Sequence, residues 1–167
     1  MTRTRIALAL LVAATLAPAR PAAAKPIAWH DWTSGFREAG AASRPVLVDV
    51  YTDWCAWCRR MEHDVYSRSD VRDYLAEHFV AVRLNAESDA AARYQGKRYT
   101  LRTLAARFRV TSYPTTMFLR PDGQHIVNVP GYVPADHFLL VMRYIADGHM
   151  DRGVSYEDFV REQAGDR

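Results

Sequence analysis

The stretch from Val46 to Cys58 constrains the fold more than any other part of the chain. Val46-Leu47-Val48-Asp49-Val50-Tyr51 is an apolar run with the composition of a buried strand. It leads through Trp54 into Cys55-Ala56-Trp57-Cys58, and the residues from Ala56 to Asp64 can be helical. A strand that delivers two cysteines to a helix start places the first beside unpaired backbone N–H groups and partial positive charge. Both favour thiolate over thiol. The second cysteine, one turn on, is close enough to attack a sulfur bound to the first. That arrangement is suited to thiol–disulfide exchange, with Cys55 as the exposed attacking thiol and Cys58 as the resolving one.

Blander uses of the motif fit poorly. These are the only two cysteines. A purely structural bond between residues three apart closes a very short loop and stabilises by only ~2 kcal/mol before strain. A structural zinc site wants four ligands, usually including a second Cys or His pair. The six histidines are scattered singly, with no His-x-x-x-His pair. Haem attachment needs a histidine after the second cysteine, where this chain has Arg59. Two rivals stay open: a copper or zinc carrier using the same cysteines, and a peptide-binding or chaperone module whose thiols are incidental.

The first residues read as an export signal. Thr2-Arg3-Thr4-Arg5 is basic, Ile6 to Leu16 is apolar but short for a membrane span, and Ala22-Ala23-Ala24 supplies small residues for cleavage before Lys25. The expected location is periplasmic or otherwise exported. Taking the three arginines of residues 1–24 from the 22 basic residues leaves 19, matching the 19 acidic ones. The positive balance of the full sequence therefore gives no support for nucleic-acid binding. An oxidising compartment is one where a lone cysteine pair turns over disulfides.

Residues 25–44 read as a lead-in, with a short helix over Trp32–Ala42 packed by Trp29, Trp32 and Phe36. Ser69 is the expected cap of a helix bearing Val71, Tyr74, Leu75 and His78 on one face. Phe79 to Leu84 is the next strand, and residues 87–99 read as polar and irregular. Leu101, Leu104, Ala105 and Phe108 mark a helix. Thr115–Leu119 and His125–Val129 form a hairpin about Pro121-Asp122-Gly123-Gln124. Pro134 opens a core helix that ends before Gly148, and Ser155–Gln163 is a short terminal helix. Strands separated by helices imply parallel pairing early, and the hairpin adds antiparallel strands late.

With these residues in order, the chain resembles the thioredoxin family. The resemblance rests on Val46-Leu47-Val48-Asp49-Val50, Trp54-Cys55-Ala56-Trp57-Cys58, Arg83-Leu84-Asn85, Tyr113-Pro114-Thr115 and Pro121-Asp122-Gly123. It is nearest to exported thioredoxin-like domains of the kind that ends the electron carrier DsbD. It implies an α/β thioredoxin fold, with a central mixed sheet of about four to five strands flanked by helices over residues 45–148, and 149–167 as a C-terminal extension. Departures are Ala56-Trp57 between the cysteines, where thioredoxin has Gly-Pro, and the 87–99 segment, which reads as an insertion.

The resemblance also implies roles. Asp49, an acid in an apolar strand six residues before Cys55, matches the family's buried acid that helps move the proton of the second thiol. Arg83 stands where the family often has a lysine near that acid. Tyr113-Pro114 matches the cis-proline loop, whose backbone pairs with a substrate strand. Trp54 and Trp57 flank the cysteines, and Trp57 is expected to form an apolar rim for a protein substrate. His63 is a candidate base. Arg93, Lys97, Arg98, Arg102, Arg107 and Arg109 carry six positive charges without an intervening acid, forming either a solvated face or a docking patch. The dithiol is itself the redox group, so no cofactor is called for. Expected partners are protein thiols and disulfides and a membrane electron donor, with the protein acting as a monomer.

Overall fold

The computed structural model describes residues 25–165, so the signal reading over 1–24 lies outside the described residues. The elements in chain order are α1 (Trp32–Ala42), β1 (Val46–Tyr51), α2 (Ala56–Met61), a π turn (Glu62–Tyr66), α3 (Ser69–His78), β2 (Val80–Asn85), β3 (Ala91–Tyr94), β4 (Lys97–Thr100), α4 (Leu101–Arg107), β5 (Thr115–Leu119), β6 (His125–Pro130), α5 (Ala135–Ala146) and α6 (Tyr156–Gly165). Four strands form one sheet in the order β2-β1-β5-β6. β1 pairs parallel with β2 and antiparallel with β5, and β6 pairs antiparallel with β5. This is the mixed sheet expected from the element order.

β1 lies inside the sheet, which is why its sequence is almost wholly apolar. Side chains alternate between the two faces. Val46, Val48 and Val50 join Trp32, Val82, Leu104 and Met117 in one core layer. Leu47 joins Phe79, Phe118, Phe138 and Phe159 in the other. Asp49 shares the Leu47 face. The sheet register sets it between Arg83 of β2 and Thr116 of β5, a polar row across an otherwise apolar layer. Asp31 caps α1, its carboxylate accepting the Ser34 N–H at 2.9 Å. In α1, Gly35 packs against Val82 so closely that any Cβ would collide with it.

Three local readings change. Ser69 is the first residue of α3, not its cap. The preceding Arg68 offers no side-chain cap, and the Asp70 carboxylate accepts the Val71 N–H at 2.9 Å instead. The helix after the cysteines runs past Asp64 through the π turn to Tyr66. Residues 87–99 are not irregular, since β3 and β4 form a separate antiparallel hairpin. Ala92 and Tyr94 face the core, while Ala91 and Arg93 face solvent. The connection Gln95-Gly96 has φ of 48° and 76°, the left-handed pair that matches hairpin twist. The C-terminal extension is also built in: α6 buries Phe159 against Tyr144 of α5 and His149.

Candidate active site

β1 ends at Tyr51, and a short turn carries the chain to Cys55, the N-cap of α2. Cys55 and Cys58 are joined as a disulfide. The Cys58 backbone N–H donates to Cys55 Sγ at 3.0 Å, so the first sulfur takes the place of a capping oxygen. The helix thus directs at Cys55 the polarity that stabilises a sulfur anion. Exposure runs opposite to expectation. Cys55 is only 3% exposed, whereas Cys58 is half-buried and lines a cavity. A position at a helix start sets the charge environment of a sulfur but not its exposure.

The cavity, of about 220 Å³, lies beneath Cys58 and is lined by Asp49, Tyr51, Thr52, Asp53, Arg59, Glu62 and Arg83. Asp49 is 3% exposed. Its carboxylate accepts the Tyr66 hydroxyl at 3.4 Å and lies 3.4 Å from Arg83 Nε. Burial pushes its pKa up to about 6, against the pull of Arg83 and the Tyr66 hydroxyl. The same burial, with Asp49 beside it, drives the Tyr66 phenol well above its usual range. Arg83 also pairs with Glu62, so one guanidinium serves two carboxylates. Its plane lies over Trp29 at 4.7 Å and Tyr51 at 5.5 Å. A carboxyl group with a pKa of about 6 opening on a cavity shared with a cysteine can exchange a proton near neutral pH.

The rim is aromatic. Trp54 and Trp57 are 65% and 53% exposed. Trp54 meets Tyr113 edge-on at 6.1 Å, and Trp57 meets Tyr132 at 5.6 Å. The Tyr113–Pro114 bond is cis, and the Pro114 carbonyl accepts the Gly131 N–H at 2.8 Å. His63 stands apart: its ring is exposed and bonded to Asp64, outside the cavity lining. Arg60 pairs with Asp64 and lies over Trp57, while Arg59 donates to the Asp53 carbonyl. Among the described residues no group of three or more His, Cys, Asp or Glu side chains is placed to hold a metal ion.

Glu62, Tyr66 and Tyr132 were not singled out from sequence, and Trp29 was read only as packing for the lead-in helix. Glu62 and Tyr66 had a signal: they follow Cys58 at four and eight residues, the spacing of one helix face. Tyr132 had none, because it reaches the site from the loop after β6.

A family model for a thioredoxin-like domain matches residues 33–146. Thiol:disulfide interchange protein DsbD of Ralstonia nicotianae is 34% identical over 108 residues, which are 64% of this chain and 16% of that protein. The chain therefore corresponds to a small part of that relative. Disulfide bond reductase DsbH of Chlamydia pneumoniae is 22% identical over 69% of both chains. Among solved structures, a thioredoxin-fold protein from Helicobacter pylori superposes with a TM-score of 0.60 at 26% identity, covering 74% of this chain and 82% of its own.

Proposed function

Because the chain belongs to the thioredoxin-like family, we propose that it is an exported thiol–disulfide oxidoreductase that reduces or relays electrons to protein disulfides. The observation that carries the reading is the Cys55–Cys58 disulfide capping α2, with the Cys58 N–H on Cys55 Sγ. In the reduced protein the Cys55 thiolate attacks a substrate disulfide. One sulfur–sulfur bond forms, the substrate's own breaks, and the leaving sulfur takes a proton from solvent. Cys58 then loses its proton through the cavity to Asp49, and its thiolate attacks Cys55 Sγ. The second substrate sulfur leaves as a thiol. The protein ends oxidised by two electrons, in the state described above, and the substrate holds two thiols. An external dithiol, such as that of a membrane electron donor, restores the reduced pair.

The other readings sit around this step. Trp54, Trp57, Tyr113 and Pro114 form the surface that receives the substrate chain. No helix among the described residues is long and apolar enough to cross a membrane. The relatives named for disulfide interchange and disulfide reduction support the reductive direction, and the basic and apolar start of the chain supports export to the periplasm. We take the working unit to be a monomer.

Alkylation of the reduced protein tests the cysteine roles. Cys58 has the better access, and Cys55 has the helix-start N–H. The N–H on Cys55 Sγ and the helix start favour the thiolate at Cys55, and the thiolate is the species that alkylates. Cys55 should label first between pH 6 and 7.5, as read by mass spectrometry of the peptides. Faster labelling of Cys58 would reverse the assignment.

A further inference from the structure

We propose that the outer face of the β3–β4 hairpin is a docking surface for acidic segments of the protein whose disulfide is exchanged. This rests on the oxidoreductase reading above and names the kind of partner that the site takes.

The hairpin register sets Arg93 directly opposite Arg98 on the solvent face, and Lys97 follows at the tip. Like charges facing each other across an antiparallel pair destabilise it. Among the described residues neither arginine, nor Lys97, Arg107 or Arg109, lies within ion-pair distance of a carboxylate. A solvated face mixes both signs, and a single lysine suffices to guard an edge strand from mispairing. Here the unpaired cations continue off the strands. Arg107 and Arg109 flank a recess of about 360 Å³ with Tyr94 and His125. The charges of residues 25–167 sum to zero with these cations included, so the cluster makes one side of a neutral domain positive. Such an arrangement attracts and orients an acidic partner.

The face is also coupled to the active-site rim. The Trp54 indole N–H donates to the Glu87 carboxylate at 3.0 Å. The Glu87 carbonyl accepts from Arg102 at 2.6 Å, and Arg102 pairs with Asp89. The Ala90 carbonyl, at the base of β3, accepts the Leu101 N–H at the end of β4. The tryptophan beside Cys55 is thus braced to the base of the hairpin. From there the cationic strands extend roughly 13 Å, at ~3.4 Å per residue. A substrate chain crossing Cys55 with acidic residues on one flank can lie along it.

The test uses two disulfide-linked peptides of equal length, one flanked by Asp and Glu and the other by Ser and Gln. Their reduction by the dithiol form is followed by stopped-flow tryptophan fluorescence. At ~20 mM salt the acidic peptide should react about tenfold faster, and the advantage should shrink to about twofold at 0.5 M salt. The Arg93→Gln/Lys97→Gln/Arg98→Gln variant should lose most of the advantage while reducing the neutral peptide at the parent rate. That unchanged rate shows that the variant is folded. Fluorescence anisotropy with cysteine-free versions of both peptides reads the charge preference independently of exchange. Loss of exchange with a retained acidic preference would therefore count against the oxidoreductase reading alone. Equal handling of the two peptides at low salt, or a preference surviving in the triple variant, would overturn the docking surface. Binding to anionic phospholipid vesicles without any peptide preference would overturn it too, and would assign the face to lipid.

Discussion

Replacing Cys58 by serine is expected to turn the protein into a trap. Cys55 keeps the helix-start N–H that stabilises its thiolate, so attack on a substrate disulfide proceeds. The mixed disulfide then has no internal thiol to resolve it. Resolution by Cys58 is intramolecular, and intramolecular attack is worth effective concentrations far above any external thiol. Turnover of a protein disulfide should fall on the order of 10³-fold or more, with reducible adducts accumulating. Cys55→Ser should lose turnover to a similar degree but form no adducts, because the remaining thiol lacks the capping N–H. Non-reducing gels and mass spectrometry read both variants. The same adducts in the two would sink the division of labour between the cysteines.

Asp49→Asn is expected to trade activity for stability. Loss of a proton acceptor in the cavity should slow the resolving step by about 10²-fold near neutral pH and remove the rate inflection near pH 6. Stability should move the other way, and the sign follows from the raised pKa. Between the unfolded value of 3.8 and the folded value of about 6 the native protein holds a proton that the unfolded chain has released. The favourable contribution present below the lower value is lost as pH rises through the upper one. At pH 7 the wild type carries a buried carboxylate whose desolvation Arg83 and the Tyr66 hydroxyl offset only in part. Asparagine removes that cost, and Glu62 still pairs Arg83. The variant should gain on the order of 1–3 kcal/mol at pH 7 and little at pH 4. Urea midpoints at the two pH values, with stopped-flow rates, check both halves. A variant less stable at pH 7 with unchanged rates would make Asp49 merely a structural partner of Arg83.

The order of elements was readable because β1 is apolar throughout and the helices carry apolar faces at helical spacing. Asp49 was readable for the same reason: a charge inside such a run is either an error of assignment or a buried group. Its pairing with Arg83 follows once β1 and β2 lie parallel in register. What sequence reasoning missed depends on packing between distant segments. Tyr132 and Trp29 reach the site across loops. The burial of Cys55 does not follow from its place at the helix start. The β3–β4 hairpin was missed for a local reason. Its cue, Gln95-Gly96 between Tyr94 and Lys97, lies among so many cations that polarity concealed the alternation of Ala92 and Tyr94.

In the proposed function the Cys55–Cys58 pair donates electrons to protein disulfides. Its reduction potential tests this most directly, by equilibration against glutathione and dithiothreitol buffers followed by trapping of the free thiols. Cys55 Sγ accepts one backbone N–H, while Arg59 is bonded to the Asp53 carbonyl and Arg60 to Asp64. That is modest thiolate stabilisation, and a strongly stabilised reduced form is what makes an oxidant. The expected value lies nearer ~−270 mV than ~−120 mV, with the protein found largely as the dithiol when its electron donor is active. A value close to ~−120 mV, with the protein held as the disulfide, would contradict the reductase reading and make this site a donor of disulfides.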